Sequence, residues 1–297
     1  MGNLLVDDLV FPDGRTHMGQ PGGAVLHASL AAALWGVTPG IVSLRGDDYP
    51  GDMLATLAAR GVALEGVHPL GGPGGRAWLL YEDGVRQIVH RLRRPSHEAL
   101  SPRLAHVPDA WRAAPAFHLG PMPFEIQREL AQSLSAQGAF VSLDPHRPIT
   151  EDSLAAWREV IAHVDVFLPS EDELRLADAL ADPQAALRRL AHGRVRFIVF
   201  KRGIHGGVVY DAHEDRCTAW TARDAGVADP TGAGDAFAMG FVTARLHGLD
   251  LAASLHRARV TASIAISDWG ATPLTRATRA EAEARLAAWT ASEPLVP

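Results

Sequence analysis

Two apolar patterns alternate along this chain, and their alternation constrains the fold more than any other feature. Short runs rich in Val, Ile and Phe are followed by Ala- and Leu-rich stretches whose apolar residues recur every three or four positions. The first pattern is typical of strands buried on both faces, and the second of amphipathic helices. The sequence therefore predicts an α/β protein with a mostly parallel sheet covered by helices, and with ligands beyond the carboxyl ends of the strands.

The individual elements follow from the same patterns. The predicted strands are Gly40–Leu44, Ala116–Leu119, Phe140–Asp144, Asp165–Leu168 and Arg196–Lys201. The predicted helices are Ala24–Leu34, Asp52–Arg60, Phe124–Gln137, Ser153–Ala162, Asp182–His192 and Asp235–His247. One stretch departs from the alternation: after the glycine-rich Gly71–Gly75, the segments Arg76–Tyr81 and Val85–Leu92 flank the turn Glu82-Asp83-Gly84, which predicts an inserted β-hairpin flap.

Composition limits the classes of protein that this chain can belong to. A length of 297 residues with 47% hydrophobic content suits one main domain over residues 1–297. The net charge of -6 argues against a general nucleic-acid binder. Cys217 is the single cysteine, so the chain alone forms neither a disulfide nor a thiolate metal site, and we expect a cytoplasmic location. No apolar run is long enough to cross a bilayer, so the expected partner is a small soluble molecule, not a membrane.

The segment Asp229–Asp235 carries the chemistry. It reads Asp-Pro-Thr-Gly-Ala-Gly-Asp and runs directly into a helical pattern. Gly232 and Gly234 let the backbone approach a ligand because they have no Cβ. We expect the amides of Ala233, Gly234 and Asp235 to be unpaired donors at the positive end of a helix dipole. The segment therefore predicts an anion-binding site.

Asp235 would lie next to the predicted anion. A carboxylate held there is suited to accept a proton, which makes Asp235 a candidate general base. The alternative interpretation makes Asp229 and Asp235 ordinary N-cap residues of a glycine-rich loop. We favour the catalytic interpretation because the whole segment fits it, and not only a pair of glycines.

The same segment resembles the C-terminal signature of the ribokinase, or PfkB, family of carbohydrate kinases. Gly22–His27, which reads Gly-Gly-Ala-Val-Leu-His and opens a helix, resembles the family's first signature together with Gly46-Asp47-Asp48 and Gly51. The likeness spans nearly the whole chain. It implies a ribokinase-like three-layer α/β/α sandwich with a small β-sheet lid from residues 10–22 and 72–98. It also implies transfer of the γ-phosphate of ATP, with Mg²⁺, to a hydroxyl of a sugar or sugar-like polyol.

The resemblance implies roles for individual residues. Asp235 is the base, and the amides of Gly232, Ala233 and Gly234 stabilise charge on the transferred phosphoryl group. Asp7 matches the acid that grips substrate hydroxyls, the alternative being that Asp7 and Asp8 form a solvated loop. The residues implied at the substrate are Asp7, Gly22, Gly23 and His27. The residues implied at the nucleotide are Lys201, Gly203, Gly206 and Thr231, although a lysine that closes a buried strand often only reaches solvent.

Two positions depart from the family pattern. His27 stands where the family usually has a substrate-contacting asparagine, and an imidazole presents its donor and acceptor differently. Ser170 replaces the asparagine that precedes a glutamate, here Glu173, which in the family organises magnesium through water. The alternative for Ser170 and Glu173 is a capping box at a helix start. Asp229 and Thr231, together with Ser267–Thr272, resemble loops that hold a monovalent cation such as K⁺ in some members.

The start of the chain is a third departure. The family's first strand normally precedes the glycine that Gly2 matches, and only Met1 stands before Gly2. Because loss of that strand would expose backbone donors and apolar neighbours, we hypothesise that the start is misassigned.

The substrate is suggested by arginines of the flap. The stretch 90–97, with Arg91, resembles kinases of sugar acids, and arginine is suited to bidentate capture of a carboxylate. The segment Asp144-Pro145-His146-Arg147 and Lys201 favour the same substrates, whereas the alternative is an edge strand protected by charge. Sugar acids such as 2-keto-3-deoxygluconate are ranked first, then inositol or a simple hexose or pentose, with nucleosides as the alternative. The flap arginines are Arg76, Arg86, Arg91, Arg93 and Arg94.

Other classes of function fit less well. A catalytically silent regulatory member of the fold is the alternative from another class: Asp235 argues against it, and His27 and Ser170 argue for it. Histidine pairs around a glutamate, a nucleophile elbow and a dinucleotide-binding glycine fingerprint do not occur in the sequence. An apolar outer face of the flap, formed by Trp78, Leu80 and Ile88, would suit a homodimer through the lid, or a flap packed on its own substrate.

Overall fold

Strands and helices alternate as predicted in the computed structural model, which describes residues 1–82, 85–92, 94–223 and 226–292, without the side chains of residues 85 and 86. The strands are β1 (Leu5–Val10), β2 (Thr16–Gly22), β3 (Gly40–Arg45), β4 (Ala63–Pro69), β5 (Gly75–Glu82), β6 (Val85–His90), β7 (Ala116–Leu119), β8 (Phe140–Leu143), β9 (Val166–Phe167), β10 (Phe197–Lys201), β11 (Gly207–Asp211) and β12 (Arg216–Trp220). The helices are α1 (Ala24–Leu34), α2 (Gly51–Ala59), α3 (His97–Leu100), α4 (Phe124–Ala136), α5 (Leu154–Ile161), α6 (Pro183–Leu190), α7 (Ala233–Leu246), α8 (Leu251–Ala265), α9 (Thr272–Arg276) and α10 (Arg279–Ser292).

The central sheet has the strand order β12-β11-β10-β9-β8-β7. Strands β7 to β10 are parallel, and β11 and β12 complete one edge in antiparallel orientation. The first two residues lie beside β7, because the amine of Met1 donates to the carbonyl of His118 at 2.6 Å and the amide of Gly2 donates to Val42 of β3 at 3.2 Å. The parallel pair β3-β4 thereby adjoins the central sheet. The hypothesis of an earlier start stays a prediction.

Both faces of this sheet are buried, as the uninterrupted apolar runs predict. Along β10, Phe197 and Val199 face one core, and Ile198 and Phe200 face the other. Helices α1, α2 and α7 to α10 cover the first face, and α4 to α6 cover the second. The result is the predicted three-layer α/β/α sandwich. None of the described helices combines the length and the apolar character that a membrane crossing requires.

A second sheet, which we call the lid, has the strand order β2-β1-β5-β6. It contains β1, which the predicted lid segments 10–22 and 72–98 leave out. Asp7 and Asp8 lie on β1 and are buried, so their interpretation as a solvated loop is wrong. Strands β5 and β6 form the predicted hairpin, although two residues of its turn, Asp83 and Gly84, lie outside the described residues.

Strand register decides which lid residues share a face. Leu79 pairs with both Leu9 and Ile88, whereas Trp78 pairs with Asp8 and Val89. Since paired residues point to the same side of a sheet and successive residues alternate, Ile88 lies on the face opposite to Trp78. The predicted apolar outer face of Trp78, Leu80 and Ile88 is therefore wrong, and a homodimer through the lid stays a prediction.

Candidate active site

The glycine turn before α7 has the predicted form. Gly232 is the N-cap of α7, and its φ of 75° lies in the left-handed region that favours glycine. A Cβ at this position would stand 2.1 Å from Cδ2 of His27. Helix α1 therefore places the His27 ring directly against the turn, and no larger residue fits at position 232.

Two amides of this turn are available to a ligand. Those of Gly234 and Asp235 have no acceptor within the described part of the chain, and they lie in the first turn of α7. The amide of Ala233 instead donates to the carbonyl of Pro230 at 3.2 Å, so the expectation that it is unpaired is wrong. The remaining amides still form an anion site with the positive end of the helix dipole behind it.

Asp229 connects the glycine turn to the loop before α9 through hydrogen bonds. Its Oδ1 accepts from the amide of Thr231 at 2.9 Å and from the hydroxyl of Thr231 at 2.6 Å, and its Oδ2 accepts from the amide of Gly270 at 2.8 Å. Asp229 is fully buried and does not cap α7, because Gly232 holds that position. The two loops proposed for a monovalent cation are thus adjacent, and the cation itself stays a prediction.

Lys201 reaches this turn from the end of β10. Its Nζ donates to both carboxylate oxygens of Asp144, each at 2.8 Å, and lies 3.6 Å from where a Cβ on Gly234 would stand. The lysine side chain is only 12% exposed, so the interpretation that it merely reaches solvent is wrong. Gly203 and Gly206 follow in a turn with φ of 52° and 76°. The carboxylate of Asp144, which follows β8, therefore holds the ammonium of Lys201 beside the glycine turn.

Charge and burial act together on this pair. Burial raises the pKa of Asp144 to about 7; Lys201 opposes the rise, and the carboxylates of Glu173 and Asp235 add to it. Burial alone would lower the pKa of Lys201, but Asp144 and Glu173 outweigh it and raise that pKa above its usual value. Lys201 is consequently protonated at neutral pH, and Asp235 lies close enough to act on both groups.

Glu173 lies beside this cluster in a turn. Its Oε2 accepts from the amide and from the hydroxyl of Ser170, both at 2.8 Å. The chain from Ser170 to Leu174 is a turn and not a helix, so the helix start of the capping-box alternative is wrong. No three acidic or histidine side chains of the described residues converge as direct metal ligands. The predicted role of Glu173, to accept hydrogen bonds from the waters of a phosphate-bound Mg²⁺, stays a prediction.

The predicted substrate residues meet where the lid joins the body. A Cβ on Gly22 would stand 1.9 Å from Oδ2 of Asp7, and Gly23 has a φ of 99°. His27 Nδ1 lies 3.3 Å from the carbonyl of Gly23, while its buried Nε2 has no partner among the described residues. Tyr49, which sequence reasoning missed, is a further neighbour: burial raises the pKa of its hydroxyl, and the charge of Asp7 adds to the rise.

The two lid arginines whose side chains are described near this position are already paired. Arg76 donates to both carboxylate oxygens of Asp8 at 2.9 and 2.7 Å, and Arg91 lies 3.5 Å from the same group. Asp8 is fully buried; although burial opposes it, Arg76 and the amide of Gly19 hold the pKa of Asp8 below its usual range. Arg91 is therefore an ion-pair partner of Asp8 in this structure, not an open carboxylate receptor. Arg86 and Arg93, also named above, lie outside the described side chains.

Replacing Arg76 by alanine is expected to lower the free energy of unfolding by about 2–4 kcal/mol at pH 7, because it leaves the buried carboxylate of Asp8 without its bidentate partner. The lowered pKa of Asp8 stabilises the fold above the ordinary aspartate pKa, and this contribution is lost as the pH falls through the folded-state value. The difference between wild type and R76A in urea unfolding should therefore shrink below about pH 4. The exposed Arg15, paired with Asp13, is the control: R15A should change stability by no more than about 0.5 kcal/mol. Equal effects of the two variants would contradict the assignment.

The lid also contacts the glycine turn before α7 directly. The hydroxyl of Tyr81 lies 2.5 Å from that of Thr231 and must donate, since the Thr231 hydroxyl donates to Asp229. Trp269, in the loop before α9, lies edge-on to Phe11 of the lid at 4.5 Å. Sequence reasoning missed these contacts because they join segments up to 258 residues apart in number, Phe11 and Trp269.

Known proteins resemble this chain in sequence and in fold. The sequence profile of the pfkB family carbohydrate kinases matches residues 13–277. The cytidine kinase of Thermococcus kodakarensis is 29% identical over 91% of this chain and 96% of its own length. Two solved structures share the fold: a ribokinase II candidate of E. coli in complex with ATP and Mg²⁺ (TM-score 0.72, 22% identity, 97% of each chain) and a fructokinase of Xylella fastidiosa with bound ATP (TM-score 0.78, 23% identity, 98% of each chain).

The family match and the named relatives identify a phosphotransferase that acts on hydroxyl groups. The chain belongs to the PfkB family of carbohydrate kinases, whose members phosphorylate hydroxyl groups of sugars or nucleosides.

Proposed function

We propose that this chain transfers the γ-phosphate of ATP to a hydroxyl of an uncharged sugar-containing substrate, with nucleosides first. The proposal rests on the groups that converge at the start of α7. Its first turn contains the Asp235 carboxylate and two amides that have no acceptor among the described residues. The ammonium of Lys201 reaches the same turn from the end of β10. Phosphoryl transfer requires mainly positioning and charge stabilisation of this kind.

The chemistry follows from these groups. The substrate hydroxyl gives its proton to Asp235 while its oxygen forms a bond to the γ-phosphorus, and the bond from that phosphorus to the bridging oxygen breaks to release ADP. The amides of Gly234 and Asp235 and the ammonium of Lys201 stabilise the charge on the transferred group. Mg²⁺, when bound with ATP, neutralises phosphate charge, and Glu173 offers acceptors to its waters. A K⁺ ion would be held by the adjoining loops at Asp229.

The nature of the substrate follows from the lid. Asp7, buried against Gly22, offers carboxylate oxygens to hydroxyl groups. Arg76 and Arg91, which would favour an acidic sugar, are both paired with Asp8, on the face of the lid opposite to Asp7. Together with the similarity to a cytidine kinase, this pairing supports an uncharged substrate and moves nucleosides ahead of sugar acids.

A panel of acceptors tests this proposal. ADP release should be measured with nucleosides, neutral sugars, inositols and sugar acids, each at the same concentration with ATP and Mg²⁺. We expect the highest kcat/KM with a nucleoside and none above background with sugar acids. A sugar acid as the best acceptor would overturn the substrate class. The absence of turnover with every acceptor would favour the silent regulatory alternative.

A further inference from the structure

Three histidines that are distant in sequence meet at the base of the lid. His90 ends β6, His97 begins α3, and His146 lies in the loop after β8. The rings of His97 and His146 are edge-on with centroids 4.6 Å apart, and His90 is close enough to act electrostatically on both of them. This cluster shares no residue with the lysine and carboxylates near the start of α7, although Glu173 acts electrostatically on His146.

These imidazoles are uncharged at neutral pH. Burial lowers the pKa of all three below the usual value, that of His97 to about 4, and Arg94 lowers those of His90 and His97 further; Glu173 opposes the change at His146. An uncharged imidazole carries one donor and one acceptor. The cluster is no direct metal site, because no described group of acidic or histidine side chains has the required arrangement.

The strand register of the lid places one of these histidines, His90, in the same row as Asp7, the residue predicted to hold the sugar. Asp7 pairs with Gln20 and Ala77, and Ala77 pairs with His90, so these four residues form one row on the inner face of the lid. Two strand spacings separate Asp7 from His90, about 10 Å. The residue between them, Ala77, has a small side chain that is buried in one apolar cluster with Leu9 and Leu79.

The opposite wall comes from the central sheet. His97 lies beside the backbone of Pro121, just beyond β7, and His146 stands two residues after Asp144 at the end of β8. Ligands of such sheets bind at the carboxyl ends of the strands. The row on the lid and these two loops therefore place the Asp7 carboxylate about 10 Å from the imidazoles, of which those of His90 and His146 are exposed and accessible to a ligand.

We propose that His90, His97 and His146 form a second substrate subsite, which contacts the uncharged heterocycle of a nucleoside while Asp7 holds its sugar. This inference rests on the proposed nucleoside specificity and assigns it to residues. A base edge presents donors and acceptors side by side, as the imidazoles do. A monosaccharide held at Asp7 would be too short to span the row.

Binding measurements separate this subsite from catalysis. Calorimetric titration with cytidine and with methyl β-D-ribofuranoside, which keeps the sugar and lacks the base, needs no turnover. Wild type should bind cytidine at least about tenfold more tightly than the riboside, and His146→Ala should weaken cytidine binding about tenfold while leaving riboside binding unchanged. His90→Ala, which alters the lid side of the cluster, should do the same.

His163 is the matched control. It lies before β9, at the amino ends of the parallel strands and so at the end of the sheet opposite to the proposed subsite, and His163→Ala should change neither affinity. Equal weakening of both ligands by His146→Ala would show a role in positioning the sugar, and no change in cytidine affinity would exclude contact with the base; either result overturns the proposal. Tight cytidine binding without ADP release would leave the subsite standing and overturn the kinase proposal instead.

Discussion

Replacing Asp235 by asparagine is expected to lower kcat about 10³-fold while ATP still binds. Asparagine keeps the size of the side chain and the first-turn amides of α7, but it cannot accept the hydroxyl proton. The anion site would lose a nearby negative charge, so the affinity for ATP should stay the same or increase. Steady-state ADP release gives kcat, and calorimetric titration of nucleotide gives the affinity.

Asp250 provides the control for this substitution. It is a true N-cap, since its carboxylate accepts from the amide of Ala253 at 2.7 Å at the start of α8. Asp250→Asn should leave kcat unchanged, because asparagine also caps helices. If Asp235→Asn retained more than about a tenth of the wild-type kcat, Asp235 would be a structural residue of the turn and not the base.

Replacing Lys201 by methionine has the second largest expected effect, a fall in kcat/KM for ATP of about 10²-fold or more. The substitution removes the cation beside Gly234 and leaves the buried Asp144 without its partner. Protonation of Asp144 can relieve its unpaired charge, because burial already raises the pKa of Asp144 to about 7. The variant should therefore fold, and the loss should be in catalysis, as circular dichroism and initial rates would show.

The neighbouring Arg202 is a matched cation for comparison. It pairs at 3.3 Å with Glu171 and not with Asp144, the partner of Lys201. Arg202→Met should therefore change kcat/KM for ATP less than about threefold. Asp144→Asn should raise KM for ATP more than it lowers kcat, because it frees Lys201 without removing its charge. If R202M lost as much kcat/KM for ATP as K201M, the effect would come from positive charge in general and not from the position of Lys201 at the anion site.

The layered fold and the glycine turn before α7 were predictable because the sequence patterns that indicate them are local. A strand such as β10 alternates its side chains between two cores, so its whole sequence is apolar. The turn before α7 needs glycine at 232 for its left-handed φ, and the glycine-rich segment itself indicates that turn. Such requirements can be recognised from neighbouring residues alone.

The parts that sequence did not predict depend on register and on distant contacts. Ile88 was grouped with Trp78 and Leu80 because all three are apolar, yet its pairing with Leu79 turns it to the other face. The pairing of Arg76 and Arg91 with Asp8 requires β5 to lie beside β1, and β6 beside β5, in one register. The same register, together with the loop after β8, brings the three histidines together.

His27 shows how a departure from a family pattern acquires a physical meaning. Its ring lies where a side chain on Gly232 would lie, and its Nε2 is buried without a partner in the described part of the structure. A buried nitrogen of this kind costs free energy unless a ligand satisfies it. We therefore expect the substrate or the phosphoryl group to supply that hydrogen bond.

Phosphorus NMR of a reaction that contains the protein, ATP, Mg²⁺ and cytidine tests directly whether the γ-phosphate reaches a substrate hydroxyl. We expect each ADP formed to be matched by one new phosphomonoester signal, and omission of cytidine to stop ADP formation. Formation of ADP and inorganic phosphate at the same rate with or without cytidine would contradict this expectation, because Asp235 would then activate water and not a substrate hydroxyl.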